Sequence, residues 1–165
     1  MKSVRDSRAR FDALPVIDLE APCLFIADLH LDVASEGSAA SFGTWLDSLP
    51  RLAELAILGD LFDVWVGPAQ ARMPDAKRVL EALRTLHERG TRIHVVPGNR
   101  DFLLDREFEE RTGARVHGDG FIARWSDREG RETRCLAIHG DLLCTLDRGY
   151  QRRLECLHGC PGSLE

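Results

Sequence analysis

The chain has 165 residues, 44% hydrophobic and 30% charged, a composition that fits one soluble globular domain and excludes a disordered chain or a repeat array. A formal net charge of −5 and a pI near 5.7 lack the basic excess of a nucleic-acid binder, so no nucleic-acid partner is expected. No apolar run approaches the ~18 residues of a membrane span, and Met1 to Pro15 lacks the apolar core of a signal peptide, so a cytoplasmic protein is expected.

Residues 1–22 are mixed and aperiodic and read as an N-terminal extension, residues 23–158 as the domain, and residues 159–165 as an atypical tail. Leu24 to Ala27 is a short apolar run ending in Asp28-Leu29-His30, which reads as a buried strand. Phe42, Trp45, Leu46 and Leu49 have helical spacing, and Pro50 ends that helix. Leu55 to Leu58 is a second buried strand, closed by Gly59-Asp60. After Pro74, the residues Val79, Leu80, Leu83 and Leu86 line one face of a helix that Gly90 caps. His87 falls at the exposed end of that helix. Ile93 to Val96 is a third buried strand, and a short helix from about Asp105 to Thr112 is ended by Gly113. Phe121 to Trp125, a turn at 127–130 and Thr133 to Ile138 form a hairpin whose apolar second strand ends in His139-Gly140-Asp141. A last helix is expected from Asp147 to Leu157. Cys23, Cys135, Cys144, Cys156 and Cys160 are odd in number and read as reduced, mostly buried thiols. Strands alternating with helices imply an α/β sandwich with some parallel strands.

Four apolar strands thus end in polar clusters: Asp28 with His30, then Asp60, then Asn99-Arg100-Asp101, then His139 with Asp141. Sites in open α/β sheets form beyond the carboxyl ends of the strands, so the clusters can converge across more than a hundred residues of chain. Carboxylate, amide oxygen and imidazole suit manganese, iron, zinc or magnesium, and the lack of thiolates argues against a structural zinc. On a regular strand Asp28 and His30 would face the same side, and a carboxylate such as Asp60 can bridge two ions. Gly59 and Gly98 are expected to let the backbone turn sharply before Asp60 and Asn99. Arg100 adds a cationic fork for phosphate oxygens. His87, His94 and His117 are given no part.

In the order D-L-H, G-D, G-N-R-D, H-G-D, the chain resembles the calcineurin-like metallophosphoesterases. The stretches F-I-A-D-L-H-L, L-G-D-L-F-D-V-W-V-G, V-P-G-N-R-D-F-L-L and H-G-D-L-L-C-T-L-D-R-G-Y-Q are similar to the UDP-2,3-diacylglucosamine hydrolase family of lipid A biosynthesis. The likeness runs from about Leu24 to Arg153. It implies a sandwich of mixed sheets flanked by helices and two divalent ions, manganese in this family. Asp28 and His30 would bind the first ion, Asp60 would bridge, and Asn99 with His139 would bind the second. Asn99 and Arg100 would act in catalysis, and Asn99, Arg100, Asp147 and Tyr150 would lie near the substrate's phosphates and sugar. The implied reaction is water attack on the pyrophosphate of UDP-2,3-diacylglucosamine, giving UMP and 2,3-diacylglucosamine 1-phosphate. A lipid substrate implies peripheral contact with the inner membrane from the cytoplasmic side.

The family's last motif, Gly-His-x-His, does not occur in the 165 residues, which reads as a C-terminally truncated domain. Two alternatives therefore stay open: a catalytically weak or inactive scaffold of the same fold, and a phosphoesterase acting on another phosphodiester. Apolar surface left uncovered would favour a homo-oligomer.

Overall fold

The computed structural model describes residue 11 and residues 13–34 and 37–144. The elements in chain order are strand β1 (Val16–Asp18), β2 (Cys23–Ile26), helix α1 (Ser38–Ser48), β3 (Glu54–Leu58), α2 (Pro74–Glu88), β4 (Arg92–Val96), α3 (Arg106–Thr112), β5 (Arg115–Val116), β6 (Phe121–Ser126) and β7 (Glu132–Ala137). They form two sheets, ordered β2-β3-β4-β5 and β1-β6-β7. The first is parallel throughout, with Leu55 opposite Ile93 and Ile57 opposite Val95. In the second, β6 and β7 pair antiparallel while β1 joins β6 in parallel.

The period of two in β3 and β4 divides the core. Leu55, Ile57, Ile93 and Val95 face the helices and pack with Phe42, Leu46, Val79, Leu83 and Phe108. Ala56 and Val96 face the second sheet and pack with Phe121, Ala123 and Ala137. Each large side chain buried this way contributes about 1.5–3 kcal/mol by leaving water. α2 starts with Pro74 at its first position and stops at Gly90, whose φ of 95° only glycine adopts freely. α3 is capped by Asp105, whose side chain accepts from the Glu107 and Phe108 amides, and is closed by left-handed Gly113.

Four expectations are corrected. Residues 1–22 are not wholly an extension, because Val16–Asp18 is a strand paired with residues 122–124 of β6. β7, read as an apolar strand, is exposed over most of its length, with Ala137 its buried residue, and stands at the edge of its sheet among the described residues. Cys135 is therefore exposed on it, Cys144 is exposed as well, and Cys23 is only partly buried. His87, near the exposed end of α2, is itself half-buried: it lies against Gly113, where an added Cβ would overlap its ring, and its Nδ1 is buried. The helix expected over Asp147 to Leu157, with Cys156 and Cys160, lies outside the described residues.

Candidate metal centre

The parallel strands β2, β3 and β4 deliver three loops to one end of their sheet, and β7 of the second sheet delivers a fourth. Asp28 and His30 follow β2, but not as alternate residues of a regular strand. Both have positive φ, 53° and 47°, and Asp60 has 49°. These are the described non-glycine residues with positive φ, a costly conformation that asparagine, aspartate and histidine tolerate best. The strain is held by backbone bonds: the Asp28, His30 and Leu31 amides donate to the carbonyls of Gly59, Asp60 and Leu61. The first loop thus hangs on the second by a run of main-chain bonds.

The consequence is that Asp28, His30 and Asp60 have donor atoms all within 4.8 Å of one another. Asp60, 4% exposed, has Oδ2 lying 3.7 Å from His30 Nε2 and 3.8 Å from His139 Nε2. His139 Nε2 is in turn 3.2 Å from Asn99 Oδ1. All five residues read as ligands from the sequence therefore meet at one place, although they come from four loops and both sheets.

The protonation pattern of His139 shows what such a cluster accommodates. Its Nδ1 is 3.1 Å from the Leu58 carbonyl, which can only accept, so Nδ1 carries the proton. Its Nε2 is thereby turned toward the Asn99 and Asp60 oxygens, where it is placed to serve as a ligand atom. A backbone carbonyl fixing the far nitrogen is the usual support of a metal-bound histidine. The donor set is carboxylate, amide oxygen and imidazole with no thiolate, which fits a hard or borderline divalent ion.

Two glycines make the approach possible, and only one by turning. Gly59 has φ of 88° and stands where a Cβ would overlap the His139 ring. Gly98 does not need a positive φ; a Cβ there would strike the side chain and backbone nitrogen of Asp60. Close approach, rather than a sharp turn, is its requirement.

Arg100 is at the rim, with its guanidinium 49% exposed and Nη1 3.9 Å from Asp63 Oδ1. Its amide donates to Asp60 Oδ1 at 2.9 Å, and its carbonyl accepts from the Trp65 amide. Trp65 stacks on Phe62 in the core, so the Arg100 main chain is anchored to a rigid aromatic pair. Asp63 also lies 3.7 Å from His30 Nδ1, on the far side of the ring from Asp60. Asp63 was not singled out in the sequence; a second carboxylate three residues after Asp60 was the available sign. Asp101 is wholly buried, and desolvation raises its carboxyl pKa against the lowering effect of the Gly98 and Phe62 amides. Asp141 opens a short 3-10 turn, Asp141–Leu143. Asp147 and Tyr150 lie outside the described residues.

The family model for calcineurin-like phosphoesterases matches residues 21–159. Among curated proteins, the chain is 39% identical over 132 residues to the UDP-2,3-diacylglucosamine hydrolase of Hahella chejuensis, covering 79% of this chain and 52% of that protein. It is 39% identical over 130 residues to the one of Aeromonas salmonicida, with 78% and 49% covered, and 40% identical over 130 residues to the one of Marinobacter nauticus, with 78% and 51% covered. The chain spans about half the length of the curated relatives it matches. Among the described residues, no helix is long and apolar enough to cross a membrane.

Proposed function

The chain belongs to the calcineurin-like phosphoesterase family, and on that premise we propose that it hydrolyses the pyrophosphate of UDP-2,3-diacylglucosamine, with two Mn2+ ions as cofactor, releasing UMP and 2,3-diacylglucosamine 1-phosphate. The observation that carries the reading is the convergence of His30, Asp60, Asn99 and His139 acceptors on one point, with Asp28 beside them.

Asp28, His30 and Asp60 would hold one ion, and Asn99 and His139 the other, with Asp60 shared. Bound divalent ions supply Lewis acidity at a phosphoryl oxygen and lower the pKa of water. The remaining work falls to the chain itself. Arg100 offers a planar fork of N–H donors that matches two phosphate oxygens, and Asp63 at 3.9 Å aims it without saturating it. Asn99 and Arg100 sit together on the exposed side of the loop, in position to orient the pyrophosphate. Val64 and Val66, 45% and 71% exposed, give an apolar rim beside Asp63 that suits an acyl chain. Asp147 and Tyr150 are proposed to contact the nucleotide sugar. A diacylated substrate places the protein peripherally at the cytoplasmic face of the inner membrane.

The test is UMP release from UDP-2,3-diacylglucosamine with Mn2+, run beside hydrolysis of bis(p-nitrophenyl) phosphate. The wild type is expected to cleave the lipid, and Asp60→Ala to lose at least about a thousandfold in kcat/KM, on the order of 4 kcal/mol of transition-state stabilisation. Cleavage of the chromogenic diester alone would assign the same chemistry to another substrate. Cleavage of neither at saturating Mn2+ would contradict the hydrolase reading.

A further inference from the structure

The loops that carry the candidate ligands are joined by a carboxylate that touches none of them as a ligand. Asp101 is fully buried, at 0% exposure. Its Oδ2 accepts from the Leu61 amide at 2.8 Å and the Phe62 amide at 3.3 Å, both in the loop after β3. Its Oδ1 accepts from the Gly98 amide at 2.7 Å, in its own loop after β4. One side chain therefore holds two loops that are forty residues apart in the chain.

Asp60 returns the contact in the opposite direction, its Oδ1 accepting from the Arg100 amide at 2.9 Å. Each loop thus sends a carboxylate to the backbone of the other. The first loop hangs on the second through the Asp60 and Leu61 carbonyls, the latter accepting from the Leu31 amide. Leu61 is consequently bonded on both sides, its N–H to Asp101 and its C=O to the loop bearing His30. A buried carboxylate satisfied by charged-acceptor bonds to amides is stronger and more directional than a neutral acceptor would be. Asparagine is no substitute, because its NH2 would face an amide donor.

We infer that Asp101 is a positioning residue which, by bonding the Leu61, Phe62 and Gly98 amides at once, holds the Asp60 loop and the Asn99-Arg100 loop in one register and so presets the ligand oxygens before any ion arrives. The inference rests on the metal-centre reading above for its consequence, but not for its geometry. Asp101 contacts no reacting atom; it acts through Asp60, Asn99 and Arg100.

The experiment compares wild type, Asp101→Asn, Asp101→Ser and Thr112→Val as full chains. Thr112, also at 0% exposure, donates to the Phe108 carbonyl and accepts from the Ala114 amide, so its loss destabilises α3 without touching the loops. The first readout is amide hydrogen exchange without metal. Loss of three bonds alone would speed exchange at Leu61, Phe62 and Gly98. A positioning role also speeds it by about tenfold at Arg100, whose amide is bonded to Asp60 and not to Asp101. The second readout is Mn2+ affinity, expected to fall about tenfold or more in the Asp101 variants and to be unchanged in Thr112→Val. In turnover of bis(p-nitrophenyl) phosphate, raised Mn2+ should recover kcat with KM little altered. An unchanged Arg100 amide, or a Mn2+ affinity that tracks Thr112→Val, overturns the inference. So does loss of cooperative unfolding in both Asp101 variants while Thr112→Val folds, which would make Asp101 structural only. A wild type that binds no Mn2+ defeats the metal reading instead, and the exchange experiment still decides the role of Asp101.

Discussion

Strands β3 and β4 carry histidine and carboxylate clusters toward both of their ends, and the two clusters obey opposite rules. Beyond the carboxyl ends, His139 Nε2 lies beside the oxygens of Asn99 and Asp60, and three residues keep positive φ. Toward the amino ends, between the sheets, Glu54 at 0% exposure accepts from His94 Nε2 at 3.1 Å, and His94 Nδ1 meets His117 Nε2 at 3.0 Å. There every donor finds an acceptor: His94 gives its proton to Glu54 and takes one from His117. The other Glu54 oxygen takes the Arg92 guanidinium and the Glu20 amide. The rings of His94 and His117 stack and lie against Phe121 of β6, so this cluster fastens one sheet to the other. The difference teaches what separates a site from a fastener. Both combine imidazole with carboxylate, but one is closed upon itself by hydrogen bonds and the other gathers the ligand atoms of Asp28, His30 and Asp60 within 4.8 Å of one another at the loop ends.

The contrast can be broken most severely at Gly98. Gly98→Ala would drive a Cβ into Asp60, whose backbone nitrogen cannot step aside. We expect about 2–3 kcal/mol of lost stability from overpacking, together with loss of Mn2+ binding. Gly118, with nothing within 4 Å of an added Cβ, is the control, and Gly118→Ala should leave both unchanged. Thermal melts with and without Mn2+ check this.

The inter-sheet cluster is probed by acid. Burial pushes the His117 pKa down from 6.5 to about 4, helped by the charges of His94 and Arg115, and burial lowers that of His94 too. The unfolded chain therefore binds protons more readily than the folded one between these values. Stability is complete above pH 6.5 and is lost as pH falls toward 4, by roughly 3 kcal/mol for His117. His117→Phe should flatten that part of the curve relative to wild type, as measured by urea unfolding at pH 7 and pH 4.5. An unaltered slope would mean that the ring titrates alike in both states.

Much of the candidate site was legible because its signals are local. Each ligand cluster follows an apolar run; the loops after β2, β3 and β4 open at one end of a parallel sheet, and β7 of the second sheet adds His139. What was not legible depends on partners distant in sequence. Val16–Asp18 becomes a strand only because residues 122–124 offer it an edge. His94 lies in a strand buried on both faces, where periodicity cannot tell the helix side from the sheet side, so its bonds to Glu54 and His117 left no trace in the pattern. The placement of Asp28 and His30 on one side was anticipated for the wrong reason: left-handed backbone held by the neighbouring loop, not strand alternation, brings them together. Likewise β7 looks apolar in sequence yet is an exposed edge among the described residues, since exposure depends on what lies beside it in the sheet.

On the proposed function, the open cluster takes a divalent cation and the closed one does not. A calorimetric titration of Mn2+ into metal-free protein tests it most directly, comparing two buried carboxylates, Asp60 and Glu54, by Asp60→Asn and Glu54→Gln. Binding that is abolished in Asp60→Asn and retained in Glu54→Gln is the predicted result. Equal binding by wild type and Asp60→Asn, or equal loss in both variants, would contradict it.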